Sequence, residues 1–297
     1  MNQSDDSPAC KSPSMVDVQN MKDERRIPIQ KVGVKGVRYP ITVLDRANSL
    51  QHTTAIVNLY ADLPHDFKGT HMSRFIEVFN EHRRDLSMPR FLSMLDEVRQ
   101  ALDAQTAYCD LHFPYFIEKA APASGQKSIM SYDCGYEGRV SGSDREFWVT
   151  VKVPVQTVCP CSKAISEYGA HNQRGVVTAS VQLGPFFWIE DLVAIVERSA
   201  SSDVYTLLKR EDEKYLTERA FDNPRFVEDV VREVHRGLFE LGTFPRFRVE
   251  AENYESIHNH SAYARVEYDA ALDDTDRSAA EPAAGHAAAP RRRPAKG

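Results

Sequence analysis

Phe147-Trp148-Val149-Thr150-Val151-Lys152-Val153-Pro154-Val155 alternates in side-chain character almost without fault. It delivers the chain into Cys159-Pro160-Cys161-Ser162-Lys163-Ala164-Ile165-Ser166-Glu167-Tyr168-Gly169-Ala170-His171-Asn172-Gln173-Arg174. A period of two places Phe147, Val149, Val151, Val153 and Val155 on one face of a strand. The residues that follow are dense in chemistry: two cysteines, a lysine, a histidine and an arginine within sixteen positions.

A thiolate at Cys159 or Cys161 and an imidazole at His171 suit a borderline-soft divalent metal, and Pro160 stiffens the backbone between the thiols. No second Cys-x-x-Cys or His-x-x-x-His closes a four-ligand cage nearby. A metal here must recruit distant residues, and it keeps a coordination position for water. The plainer reading is that the two cysteines are small strand-end residues and His171 a loop histidine.

Outward from this stretch the same order of elements occurs twice. Before it, 52–62 reads as a strand, and Met72, Phe75, Ile76 and Phe79 follow at helical spacing. Phe91, Leu95, Val98 and Leu102 mark a second helix with Pro89 in its first turn. Residues 106–118 look extended, and Met130, Tyr132, Cys134 and Tyr136 alternate with mostly polar neighbours. After it, 175–183 is a strand, and Ile189, Leu192, Val193 and Val196 form one helical face. A longer helix is expected with Asn223 as cap, Pro224 in its first turn, a stripe from Val227 to Leu241, and Gly242 as the stop. Strands around Phe247–Ala251 and Ala262–Tyr268 complete the set. Two α+β modules of antiparallel strands, with helices on one sheet face, follow from this order.

Composition bounds the function. The chain has 297 residues, 42% hydrophobic and 27% charged, enough for one large core or two smaller modules. No apolar run approaches the ~18 residues of a membrane span, and Met1-Asn2-Gln3-Ser4-Asp5-Asp6 lacks the features of a signal peptide, so a cytoplasmic protein without membrane contact is expected. Five cysteines argue for free thiols or metal ligation rather than a disulfide framework. A net charge of −6 disfavours generic nucleic-acid binding. Residues 1–25 and 270–297 read as disordered tails, the second carrying Arg291-Arg292-Arg293. The core is expected to divide into modules 26–160 and 161–269. Signatures of P-loop and Rossmann proteins, H-E-x-x-H metalloproteases and G-x-S-x-G hydrolases are all missing.

Four ordered segments carry a family resemblance: Gly69-Thr70-His71-Met72-Ser73-Arg74-Phe75, Cys159-Pro160-Cys161-Ser162-Lys163, Tyr168-Gly169-Ala170-His171-Asn172-Gln173-Arg174 and Glu255-Ser256-Ile257-His258-Asn259-His260. Together they resemble the GTP cyclohydrolases of type IB over residues 25–269. The resemblance implies the tunnelling fold, two tandem ββααββ-like modules in one chain, and a homotetramer with interfacial active sites. It implies hydrolysis of GTP to 7,8-dihydroneopterin triphosphate and formate, the entry step to tetrahydrofolate, with one divalent metal per site (manganese, zinc or iron). By the same resemblance Cys159, His171 and Glu213 match the metal ligands, Glu255 and His258 lie beside the metal, and Glu228 grips the guanine. The one departure is Ala164, where relatives commonly carry glutamate. Lys68, His71, Arg74, Lys163 and Arg174 are candidates for the triphosphate by charge and by nearness to the motifs.

Several of these residues have structural readings too. Glu213 sits in Lys209-Arg210-Glu211-Asp212-Glu213-Lys214, which reads as a solvated helix face. Glu228 complements a helix N-terminus, His258 and His260 fit a hairpin loop, and Cys109, Cys134, Met72 and Phe75 read as core. Two rival functions remain: a nitrile reductase of the same fold with a cysteine nucleophile and NADPH, and a non-catalytic binding protein with a structural metal clip.

Overall fold

A computed structural model describes residues 17–19 and 21–272. The strands are β1 (Ile29–Asp45), β2 (Ser49–Leu63), β3 (Thr106–Ala120), β4 (Lys127–Ser141), β5 (Asp144–Val158), β6 (Asn172–Gln182), β7 (Ser202–Asp203), β8 (Arg246–Tyr254) and β9 (Ser261–Asp269). Between them lie α1 (Met72–His82), α2 (Met88–Ala101), α3 (Pro160–Ile165), α4 (Ile189–Ser199), α5 (Arg210–Asp222) and α6 (Val227–Leu241). All nine strands form one antiparallel sheet in the order β1-β2-β3-β4-β5-β6-β8-β9, with β7 added beside β5. The order ββααββ is completed first by β1 to β4 with α1 and α2. It recurs in β5 to β9, and the turn at 142–143 separates the two sets, ahead of residue 160.

Alternation fixes the buried face. Val149, Val151, Val153 and Val155 of β5 are at most 5% exposed, and they meet Phe91, Met94, Leu95 and Val98 of α2 and Leu192 and Val196 of α4 in one continuous core. Phe91 packs edge-on against Phe147 and Tyr136, with centroids 5.0 and 6.3 Å away. A Cβ at Gly138 would stand 2.3 Å from Phe91, so β4 needs glycine where α2 crosses it. The helices α4, α5 and α6 begin alike. Asp191, Asp212 and Asp229 accept the backbone N–H of Trp188, Lys209 and Phe226 at 3.0, 2.8 and 3.0 Å, each closing the first turn.

Four local expectations differ from the structure. β1 has no counterpart in the sequence reading, because the first half of this edge strand is barely buried and shows no clean alternation. Asn223 does not cap α6; it ends α5, and its amide donates to the carbonyls of Ala200 and Ser201 at 3.0 and 3.4 Å. Phe226 is the residue before α6. Met72 opens α1 and is 40% exposed, whereas Phe75 and Phe79 are fully buried. Residues 17–19 and 21–25, expected in a tail, run beside 66–71: Lys68 N–H donates to Met21 O and Gly69 N–H to Gln19 O at 2.9 and 3.1 Å. The Arg291–Arg293 run lies outside the described residues. Among the described residues no helix is long and apolar enough to cross a membrane.

Candidate active site

The β5–β6 hairpin ends where the register pairs Val158 with Asn172 and Thr157 with Gln173. Beyond it the chain turns into α3, with Cys159 as its N-cap and Pro160 in the first turn. The Cys159 thiol accepts from Ser162 N–H at 3.4 Å, Cys159 N–H donates to His171 O at 3.1 Å, and His171 N–H donates to the Ser162 hydroxyl at 3.2 Å. Thiol and imidazole therefore leave from adjacent, mutually bonded backbone. Val158 N–H donates to Ser201 Oγ at 3.0 Å and Arg225 N–H to Val158 O at 3.1 Å, which anchors the cluster to the helical layer.

The imidazole is held from its Nδ1 side. Gln173 Oε1 lies 3.0 Å from Nδ1, and a Glu255 carboxylate oxygen, arriving from the β8–β9 turn, lies 3.9 Å from it. The close passage of β8 requires Gly175, since a Cβ there would meet Asn253 Oδ1 at 2.5 Å and Glu252 O at 3.0 Å. Beside Gln173 opens a cavity of about 370 Å³ lined by Asn172, Arg174, Asp203, Tyr205, Glu213 and others.

Glu213 reaches that cavity because α5 is pinned at its start. The Asp212 carboxylate, fully buried, accepts from the Ser124 hydroxyl at 2.7 Å and from the N–H groups of Ala123, Ser124 and Lys209 at 2.8 Å. Burial pushes its pKa up, but these donors outweigh burial and hold it well below the usual carboxylate range. Asp203, which also lines the cavity, belongs to a buried network. Lys119 Nζ donates to Glu197 at 2.8 Å, Asp203 at 3.2 Å and Val204 O at 3.3 Å. The Tyr132 hydroxyl donates to Glu197, and Tyr205 and Arg219 donate to Asp203. Burial raises the Glu197 pKa against the pull of Lys119; in Asp203 the same burial is overcome by Tyr205, Lys119 and Arg219.

A family profile described as type I GTP cyclohydrolase folE2 matches residues 15–264. A protein of Syntrophus aciditrophicus (strain SB) named GTP cyclohydrolase FolE2 is 57% identical over 253 residues, 85% of this chain and 99% of that relative. The chain belongs to the type I GTP cyclohydrolase folE2 family. A second FolE2 protein, from Geotalea uraniireducens (strain Rf4), is 54% identical over 255 residues, 86% of this chain and 94% of its own length. Among solved structures, the uricase of Arthrobacter globiformis superposes with a TM-score of 0.51 over 88% of this chain and 96% of that one. At 8% identity it shows the fold alone, an α+β tunnelling fold.

In this folE2 family member the backbone unites Cys159 with His171, and a side-chain contact of 3.9 Å brings the ring of His171 to Glu255. Among the described residues no three His, Cys, Asp or Glu side chains converge as a metal cage. Glu213 and Arg174 share the cavity, both exposed. Glu228 is exposed in the first turn of α6, and His258 stacks on His260 at 5.0 Å. Three of the triphosphate candidates have partners elsewhere: His71 with Asp17 at 3.3 Å, Arg74 with Ala101 O at 2.7 Å, and Lys163 with Phe221 O and its ring. Lys68 lies in the segment between β2 and α1. Sequence reading passed over Thr157 and Gln173. Thr157 shares the parity of the buried valines of β5, so a polar residue on the core face was the available signal.

Proposed function

We propose that this chain hydrolyses GTP to 7,8-dihydroneopterin 3′-triphosphate and formate, using one divalent metal held by Cys159, His171 and Glu213. The observation that carries the reading is the Cys159–His171 pair, built on bonded backbone at a strand end, in a member of the folE2 family. The donor chemistry fits: thiolate, imidazole and carboxylate suit a borderline ion such as zinc, manganese or iron. A divalent ion supplies the Lewis acidity that makes water nucleophilic near neutral pH.

The chain's own groups do the rest. The Glu255 carboxylate, 3.9 Å from Nδ1 of His171, is the acceptor that takes up protons beside the metal-held ring. His258, on the same turn as Glu255 and stacked on His260, is a second proton carrier. The Glu228 carboxylate accepts two hydrogen bonds from guanine N1–H and its 2-amino group, a pattern adenine does not offer. Arg174, exposed on the cavity wall, is the cation best placed to meet the triphosphate, with Lys68 a further candidate; His71, Arg74 and Lys163 would first exchange their present partners.

Assembly is part of the proposal. The sheet ends in two edges, β1 and β9, and Tyr168 and Ile257 beside the site are 97% and 64% exposed. Open edges and the bare apolar side chains of Tyr168 and Ile257 support a homotetramer with sites completed between subunits. A cytoplasmic enzyme of folate synthesis follows from the same reading.

The test is to incubate metal-loaded protein with GTP and assay formate and a fluorescent pterin after oxidation. No formate with any of the three metals would overturn it. NADPH oxidation with a deazaguanine nitrile, surviving a chelator, would establish the reductase instead.

A further inference from the structure

We infer that Gln173 is a positioning residue that fixes the tautomer of His171, placing the ring proton on Nδ1 and leaving the Nε2 lone pair free. Gln173 Oε1 lies within hydrogen-bond distance of Nδ1, at 3.0 Å. Gln173 is 6% exposed and its Nε2 donates to the Thr157 hydroxyl at 2.9 Å; Thr157 is fully buried. An amide that spends its N–H₂ on Thr157 turns its oxygen to the imidazole, and an oxygen only accepts.

Flipping the amide would put an N–H₂ against Nδ1 and require that nitrogen to be the acceptor. The second neighbour argues against the flip. Glu255 presents a carboxylate oxygen 3.9 Å from the same nitrogen, and a carboxylate oxygen is an acceptor too. Two acceptors therefore converge on Nδ1, which becomes the N–H, and Nε2 keeps its lone pair. An imidazole in water prefers the opposite tautomer, so the protein must impose this one.

The arrangement is built into the strand pairing. Thr157 and Gln173 are register partners across β5 and β6, two residues before Cys159 and two after His171. The last rung but one of the β5–β6 ladder thus locks the ring. Fixing the far nitrogen of a ligand histidine is a recurrent way to orient it and raise its basicity. The inference about the tautomer stands without a metal; its consequence for metal affinity rests on the proposed ligand set.

The experiment uses the full-length, metal-free protein with ¹⁵N-labelled histidine, at a pH where imidazoles are neutral. Long-range ¹H–¹⁵N correlations, assigned by loss of the His171 signal in His171→Asn, report which nitrogen carries the proton. Wild type is expected to show Nδ1–H. Gln173→Leu and Thr157→Val are expected to shift His171 toward Nε2–H, and Gln173→Glu, which retains an acceptor, to restore Nδ1–H. In competition with a chelator, manganese or zinc should bind Gln173→Leu about 10–100-fold more weakly than wild type, with recovery in Gln173→Glu. A wild-type Nε2–H signal, or a Gln173→Leu variant with an unchanged tautomer, would overturn the inference. A variant that loses its circular dichroism is replaced by Thr157→Val, which leaves Gln173 in place. If wild type binds neither ion yet shows Nδ1–H, the metal assignment fails and the role of Gln173 holds.

Discussion

Lys119→Met separates charge from volume in the network that walls the cavity. The lysine side chain is 11% exposed and its partners Glu197 and Asp203 are 14% and 11% exposed, so the variant leaves two mostly buried carboxylates without their shared cation. Breaking such a pair costs about 3–5 kcal/mol. Glu197 keeps the Tyr132 hydroxyl, and Asp203 keeps Tyr205 and Arg219, which places the cost near the lower end, at about 3 kcal/mol. For a chain of 297 residues the melting temperature should fall by about 5 °C at fixed protein concentration. The pH dependence gives the sharper check. Burial already holds the Glu197 pKa above its ordinary range, and losing Lys119 removes the main opposing pull. A carboxyl with a raised folded pKa weakens the fold above that pKa and ceases to do so as pH falls through it. The deficit of the variant should therefore shrink as pH falls from neutral toward the carboxylate range. Urea denaturation of both proteins across that window measures it. A deficit under about 1 kcal/mol at neutral pH, or one that grows on acidification, would refute the account of a buried, mutually dependent triad.

Cys159→Ala, His171→Asn and Glu213→Gln should each lower formate release by orders of magnitude while the melting temperature moves by only a few degrees; near-normal turnover in any of them removes that residue from the ligand set. Asp212→Ala should loosen the start of α5, and because the folded Asp212 pKa lies below the ordinary 3.8, its stabilisation is full above that value and disappears as pH falls through the folded pKa. Acid titration of wild type and variant by circular dichroism should show two curves that converge at low pH. Gly175→Ala forces β8 away from β6 at Asn253 and should cost about 1–3 kcal/mol in urea denaturation, with a lower kcat because Glu255 follows that strand.

What the sequence disclosed depended on burial pattern. β5 and the stripe of α6 were legible because one face of each is almost wholly buried, so apolar residues recur at the structural period. β1 escaped because half its length lies at an edge with both faces partly wet. α3 escaped because six residues cannot show a helical period, and its cap is the very cysteine that reads as a ligand. At the site, Cys159 and His171 stood out by residue type alone, whereas Glu213 in its charged run was carried by the family resemblance. The other partners of His71, Arg74 and Lys163 lie 54, 27 and 58 positions away, beyond any local pattern. Thr157 and Gln173 were readable as polar intrusions on an inward face, though only the strand register shows that they meet.

The join between β4 and β5 has a consequence for dissection of the chain. Their ladder runs from Ser141 and Asp144 to Asp133 and Lys152, and its only covalent link is the turn at 142–143. Severing that turn would leave each half with a bare hydrogen-bonding rim and half of a shared apolar layer, so neither fragment should fold in isolation. The two halves, mixed, should recover structure together. Physically, the seam is a dimer contact whose partners share one backbone, and unfolding of either half should be felt at the cysteine end of β5.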